Sequence, residues 1–318
     1  MGVSVLCCAA RTYEKGLNDM GHITLKTREL SVVVGDNEAG SPDCPTHLAG
    51  YNGIWSLASI HAPQNCFVPS YAGLNLEHFM DDLFMTDEGG DIFEPRRIPM
   101  RLKRLSDTAV RLSHEPGPLT AVESETTFEV REPDAIDLQF RARLHRLPRA
   151  GRRFGFFWAS YINAPEFPLL QFLDPAGLWC GLSPDQHGQE GNNTVCHRAV
   201  ATPAFGDADR QYEPGSLTHS FSKRRFDVPL MFGRPGDGSM LFLQMFDQSE
   251  PVRLCMSPSG GGVNQEKKLY NPAWDFQYVV EEAAAGVEYR LRSRVVYKPY
   301  VDREEIGRLY AQWIAELD

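Results

Sequence analysis

The sequence predicts an all-β protein, an antiparallel sandwich closed by one C-terminal α-helix. Three observations carry that prediction. Runs that alternate apolar and polar residues with period two recur along most of the chain, hairpin-type punctuation such as Ser-Asp, Pro-Asp and Pro-Gly separates them, and a single stretch repeats apolar residues at helical spacing. No amphipathic helix of useful length lies between consecutive strands, so hairpins and meanders are expected in place of parallel crossovers.

The strand-like runs are, in order, "HITLKTRELSVVVG", "RIPMRLKRLSDTAVRLSH", "LTAVESETTFEVREPDAIDLQFRARLHRL", "FGFFWASYI", "SMLFLQMFD", "PVRLCMS", "WDFQYVVEE" and "VEYRLRSRVVYKPY". In "AIDLQFRARL" the residues Ile136, Leu138, Phe140, Ala142 and Leu144 face one way and Asp137, Gln139, Arg141 and Arg143 the other. That is the signature of a half-buried antiparallel strand. The helix falls over 302–317, where "DREEIGRLYAQWIAELD" opens on an N-cap candidate, Asp302, and sets Ile306, Leu309, Tyr310, Trp313 and Leu317 on one stripe. Residues 181–220, polar and rich in Gly, Asn, Pro and His, read as long loops, which in a compact domain are more often functional than idle.

Length and composition bound the rest. The 318 residues suffice for two average domains or one large β unit. No linker, repeat or low-complexity segment divides them, so 21–318 reads as a single domain and 1–20 as an N-terminal extension. A hydrophobic fraction of 42% with 27 Gly and 22 Pro describes a turn-rich globular chain. The formal charge of -10 argues against nucleic acid and anionic membrane as partners, and the basic runs "RLHRLPRAGRR" and "SKRRF" lack the interleaved aromatics of a strand-binding surface. No run approaches the roughly 18 apolar residues of a membrane span. Seven cysteines without paired C-x-x-C motifs point to reduced thiols and a cytoplasmic location.

The stretch "WASYIN", 158–163, carries a resemblance to the galactose mutarotase-like superfamily. Aldose 1-epimerases of that group have Asn-His-Ser-Tyr-Phe-Asn on a central strand. Ser160, Tyr161 and Asn163 match it, whereas Ala159 stands where the family has a catalytic histidine. "YAGLNLEHF" looks like the counterpart of a Gly-Arg-Tyr-Ala-Asn-Arg segment, and "DEGGDIFEP" keeps the two glycines of a His-Gly-Gly motif without its histidine. The resemblance implies an antiparallel β-supersandwich with a sugar cleft, and a second catalytic acid late in the chain.

Candidate site residues follow from chemistry, because epimerisation, elimination and glycosidic cleavage all need a proton acceptor and a proton donor around one sugar. "LNLEHFMDD" offers Asn75, Glu77 and His78. On a regular strand Asn75 and Glu77 share one face and His78 takes the other, so Glu77 is the favoured base, with His78 its rival should the strand be bulged. "NPAWDFQ" offers Asn271, a flat face in Trp274, and Asp275 as the second acid–base group, behind a glycine-rich approach, "SPSGGG". Trp158, Tyr161 and Asn163 are expected to emerge toward the cleft, and Gln244 and Asp247 to meet sugar hydroxyls from a strand end. His187 is a third acid–base candidate, from the polar loop that also holds His197.

No cofactor motif is present. The alternative of a divalent metal would use His47, His61 and Glu77 as a two-histidine, one-carboxylate set. The leading expectation is therefore a carbohydrate-active enzyme with epimerase or mutarotase chemistry. A lyase or hydrolase on the same fold and a non-catalytic sugar-binding protein are the alternatives.

Overall fold

A computed structural model describes residues 21–40, 42, 44–81, 92–149, 151–182, 194–200 and 221–317. With strands numbered in chain order, a nine-stranded sheet runs β11 (Trp179–Leu182), β10 (Phe167–Leu173), β14 (Leu230–Arg234), β15 (Met240–Phe246), β20 (Glu288–Pro299), β8 (Ala135–Leu144), β7 (Val122–Arg131), β6 (Ala109–His114) and β5 (Arg101–Arg104). Facing it, a six-stranded sheet runs β13 (Phe221–Phe226), β12 (Thr194–His197), β16 (Val252–Ser257), β19 (Ala273–Val280), β9 (Phe154–Ala159) and β4 (Asn75–Met80). A three-stranded sheet, β1 (His22–Lys26), β2 (Leu30–Gly35) and β3 (Gly53–Ser59), completes the frame with the short hairpin β17 (Val263–Asn264) and β18 (Leu269–Tyr270). The expected antiparallel sandwich is present, with one parallel pairing among the described residues, β12 beside β13.

Alternation explains where the core sits. On β8 the residues Ile136, Leu138, Phe140, Ala142 and Leu144 are buried between the two large sheets, and Gln139, Arg141 and Arg143 are exposed. The Ile, Leu and Phe side chains among these each contribute about 1.5–3 kcal/mol by leaving water.

Strand β15 reads as a continuous apolar run because both of its faces are covered. Met240, Phe242 and Phe246 enter the core between the sheets, and Leu241, Leu243 and Met245 pack under the helix against Ile306 and Trp313. That helix, α1 (Arg303–Leu317), begins where the sequence indicates: Asp302 Oδ1 accepts the Glu305 N–H at 2.7 Å.

Candidate functional site

The two faces of the six-stranded sheet differ in kind. On β9, Phe154, Phe156 and Trp158 turn into the core between the sheets, whereas Phe157 and Ala159 turn outward, followed by Tyr161 just past the strand end. On β19, Trp274, Phe276 and Tyr278 turn inward and Ala273 and Val279 outward, which puts Asp275 and Gln277 on the outer face. That face, apolar at Phe157, Ala159 and Val279, thus also carries ionisable and amide groups.

This parity corrects the expectation that Trp158 and Trp274 emerge toward a cleft. Trp158 is fully buried, stacked on Phe276 with ring centroids 4.7 Å apart. Trp274 is fully buried too, its Nε1–H donating to the Pro168 carbonyl at 3.2 Å. A Cβ on Gly233 would come within 2.1 Å of the Trp274 ring, so glycine is what lets the backbone pass so close.

Strand β4 carries a second correction. Leu76 lies opposite Trp158, His78 opposite Phe157, and Phe79 opposite Phe156, so Glu77 is the extra residue of a β-bulge. The bulge breaks the alternation. Glu77 and His78, expected on opposite faces, both bond within one network on the outer face, together with Asn75.

Glu77 is the centre of that network. Its Oε1 accepts from Arg96 Nη2 at 2.6 Å and lies 3.1 Å from His78 Nε2, while its Oε2 accepts from the Tyr161 hydroxyl at 2.7 Å and from Asn75 Nδ2 at 3.0 Å. Arg96 comes from a short 3₁₀ turn, Glu94–Arg96, and its guanidinium sits 4.4 Å from the Tyr51 ring centroid and 4.3 Å from that of Phe93. Glu94 fixes the turn by accepting the Leu119 and Thr120 N–H groups. His78 is stacked on Phe157 at 4.7 Å, and its Nδ1 is buried with no hydrogen-bond partner among the described residues.

The two carboxyl groups of this face are held in opposite states. Burial by itself would raise Glu77, but the His78 hydrogen bond, the charges of His78 and Arg96 and the Tyr161 hydroxyl outweigh it and hold the carboxyl below its usual range. Asp275 is pushed well above the usual range by burial and then by the Glu77 charge, against the single Ser160 N–H it accepts at 3.1 Å. The two carboxyls are thus shifted in opposite directions, Glu77 toward its anion and Asp275 toward its neutral acid.

Ladder register fixes their separation. Asn75 lies opposite Ala159, and the pairs Phe276–Trp158 and Tyr161–Ala273 bring Asp275 to the other side of the same alanine. Two strand spacings put the Asn75 and Asp275 backbones about 10 Å apart. The side chain between them is that of Ala159, itself buried in a cluster with Met80, Phe157, Tyr161 and Ala273.

Of the candidate residues, then, the structure brings together Asn75, Glu77, His78, Tyr161 and Asp275. Gln244 is corrected to the interior between the sheets, on the other large sheet, where its Nε2 donates to Ser293 Oγ at 3.1 Å. Asp247 instead ties the end of β15 to β20, accepting from the Arg292 N–H and Nε. Asn271 is a buried staple between the Ala164 N–H and the Gly261 carbonyl, and Asn163 accepts from Asn264 Nδ2. His187 lies outside the described residues; His197 packs on Phe226.

The metal alternative is corrected as well, for its three residues have other partners. His47 bonds the Tyr51 carbonyl and stacks on Trp55, His61 faces Glu29, and Glu77 holds Arg96. Among the described residues no group of three or more His, Cys, Asp or Glu is placed to hold a metal ion. Sequence reasoning missed Arg96, Gln277 and the pair Tyr51 and Tyr71, whose half-buried rings lie 4.7 Å apart, with Tyr71 4.9 Å from Tyr161. Tyr51 and Tyr71 follow ordinary loop sequence and gave no periodic signal.

No family model matches the sequence, and no curated protein matches it. Among solved structures the chain is similar to a candidate aldose 1-epimerase from Escherichia coli K12, at 10% identity over 88% of this chain and 99% of that one, with a TM-score of 0.47. It is similar also to a galactose mutarotase-like protein from Lactobacillus casei, at 9% identity over 87% of this chain and 100% of that one, with a TM-score of 0.42. A third, 4-alpha-glucanotransferase from Thermococcus litoralis, matches at 10% identity over 86% of this chain and 37% of that one, with a TM-score of 0.48. These are likenesses of fold.

Proposed function

We propose that the chain is an acid–base enzyme acting on a mono- or oligosaccharide, with interconversion of anomers or epimers as its reaction. The observation that carries this reading is the pair of buried carboxyl groups on one sheet face, Glu77 with four partners that include Arg96 and Asp275 with the Ser160 N–H, a contrast that shifts their pKa values in opposite directions. Environments that split two such groups are how one site supplies an acid and a base at the same pH.

Asp275, neutral, donates the proton. Glu77 is a weak base, because four donors already occupy its oxygens. His78 takes that role instead. In the neutral ring whose Nε2–H faces the Glu77 carboxylate, Nδ1 is the acceptor, and Glu77 acts as the positioning carboxylate. The sugar is the substrate class because Tyr51 and Tyr71 supply flat apolar rings beside the polar groups of Arg96 and Tyr161.

A second reading, sugar binding without turnover, is favoured by that same saturation of Glu77. The experiment separates them. Anomer exchange of D-glucose, D-galactose and D-glucuronate is followed by NMR magnetisation transfer, with binding measured by calorimetry. Asp275→Asn and His78→Gln should each slow exchange about 100-fold with Kd little changed. Binding without accelerated exchange in the wild type selects the second reading, and no binding of any sugar refutes both.

A further inference from the structure

Gln277 stands one rung beyond Asp275 on the same face of β19, fully buried, and neither its Oε1 nor its Nε2 has a hydrogen-bond partner among the described residues. Its ladder neighbours do not answer it. Phe157 lies opposite on β9 and offers only a ring, and Arg253 lies opposite on β16 with its guanidinium turned to the Glu250 carbonyl and the Glu281 carboxylate. A primary amide sealed without partners is among the costlier ways to fill a core position, and Leu or Met would fill the same volume without that cost. Gln244, between the sheets, is half answered: its Nε2 donates to Ser293 Oγ and its Oε1 has no partner among the described residues, whereas Gln277 lacks both.

We infer that Gln277 is a ligand-reading residue, whose amide takes two adjacent hydroxyls of the sugar while Asp275 serves the reacting carbon. This rests on the proposed function and names the feature of the substrate that the site recognises. The amide presents an acceptor and donors side by side, about 2.3 Å apart by amide geometry, and each hydroxyl of a vicinal diol can both donate and accept. Residues 275 and 277 are one strand repeat apart, about 7 Å along β19, comparable to the span of a pyranose ring from its anomeric carbon to the far hydroxyls. A sugar lying along β19 therefore meets the acid at one end and the amide at the other.

The test uses Gln277→Leu and, as a second variant, Gln277→Met, on the full chain. If the amide is unanswered in the free protein, both variants raise the urea midpoint, whereas a structural glutamine would lower it. If it reads a diol, both weaken binding of the sugar the wild type prefers among D-glucose, D-galactose and D-glucuronate by about tenfold. The 3-deoxy and 4-deoxy forms of that sugar should lose affinity for the wild type, and one of them should bind the variants as well as its parent does. Unchanged sugar affinity in stable variants overturns the inference and leaves the proposed function standing, an ordered water then being the partner. Failure of both variants to fold overturns it too, as a structural requirement. Absence of any sugar binding by the wild type overturns the proposed function first, and this inference with it.

Discussion

Asp275→Asn tests the charge state on which the chemistry depends. The carboxyl is almost fully buried, and its folded-state pKa lies well above the ordinary value of 3.8. Between the unfolded and folded values the native protein keeps a proton that the unfolded chain releases, so stability falls as pH rises through that window, by about 1.4 kcal/mol per pH unit. Glu77 has the opposite sign: its folded value is depressed, and its contribution is present above 4.5 and lost only as pH falls through the folded value. It therefore adds no slope between pH 5 and 6. His47 and His114, both held low chiefly by burial, make stability rise with pH up to about 6.5, but they do so equally in both proteins and cancel in the difference. Asparagine keeps the shape of the neutral acid and an oxygen for the Ser160 N–H. Urea unfolding at pH 5 and pH 6 should thus show the wild type losing stability relative to the variant, by up to about 1.4 kcal/mol, or about 0.5 M in midpoint at an m-value of about 3 kcal/mol/M. A difference that stays constant between the two pH values refutes the argument, because Asp275 would then be ionised in the folded protein.

Tyr161→Phe removes the hydroxyl that donates to Glu77 Oε2 at 2.7 Å and should cost about 2 kcal/mol in urea unfolding, the range for a hydrogen bond to a charged group. Ala159→Leu crowds the buried position between Asn75 and Asp275; it should cost about 1–3 kcal/mol for overpacking and weaken sugar binding at least about tenfold by calorimetry. Trp158→Ala should cost about 3–5 kcal/mol by leaving a cavity in the core, with the Kd of the folded fraction for sugar unchanged, since the ring faces away from the site.

Period-two alternation made β8, β19 and β20 legible, a continuous apolar run made β9 legible, and a 3.6 repeat with an N-cap made α1 legible, because burial imposes those patterns directly. The same rule holds the orientation of Trp158. It shares parity with Phe154 and Phe156, as Trp274 does with Phe276, so counting from those neighbours puts both indoles in the core and Tyr161 and Asp275 opposite. Chemistry-first reading of the indoles as sugar platforms went against that count. Gln244 misled for a related reason, since a polar residue in an apolar run looks functional until Ser293 arrives from a strand 49 residues away. Two features had no local signal. The bulge at Glu77 is a property of the β4–β9 pairing, and Arg96 reaches the site from a 3₁₀ turn outside any periodic element.

The bulge and the buried acid have one electrostatic logic. Without the extra residue, β4 would send either Glu77 or His78 to the side of Phe79 and Phe156, where a charge would have no partner and would cost several kcal/mol, more than the irregular ladder does. Bringing both to the outer face concentrates ionisable groups there and makes cation supply the deciding quantity. Arg96 is committed to Glu77, and Arg253 to Glu281 and the Glu250 carbonyl. A second carboxylate on this face would therefore be a buried anion with the Ser160 N–H as its donor, which drives Asp275 toward its protonated form. The site's acid is set by how few positive charges the face provides, and adding one beside Asp275 would remove it.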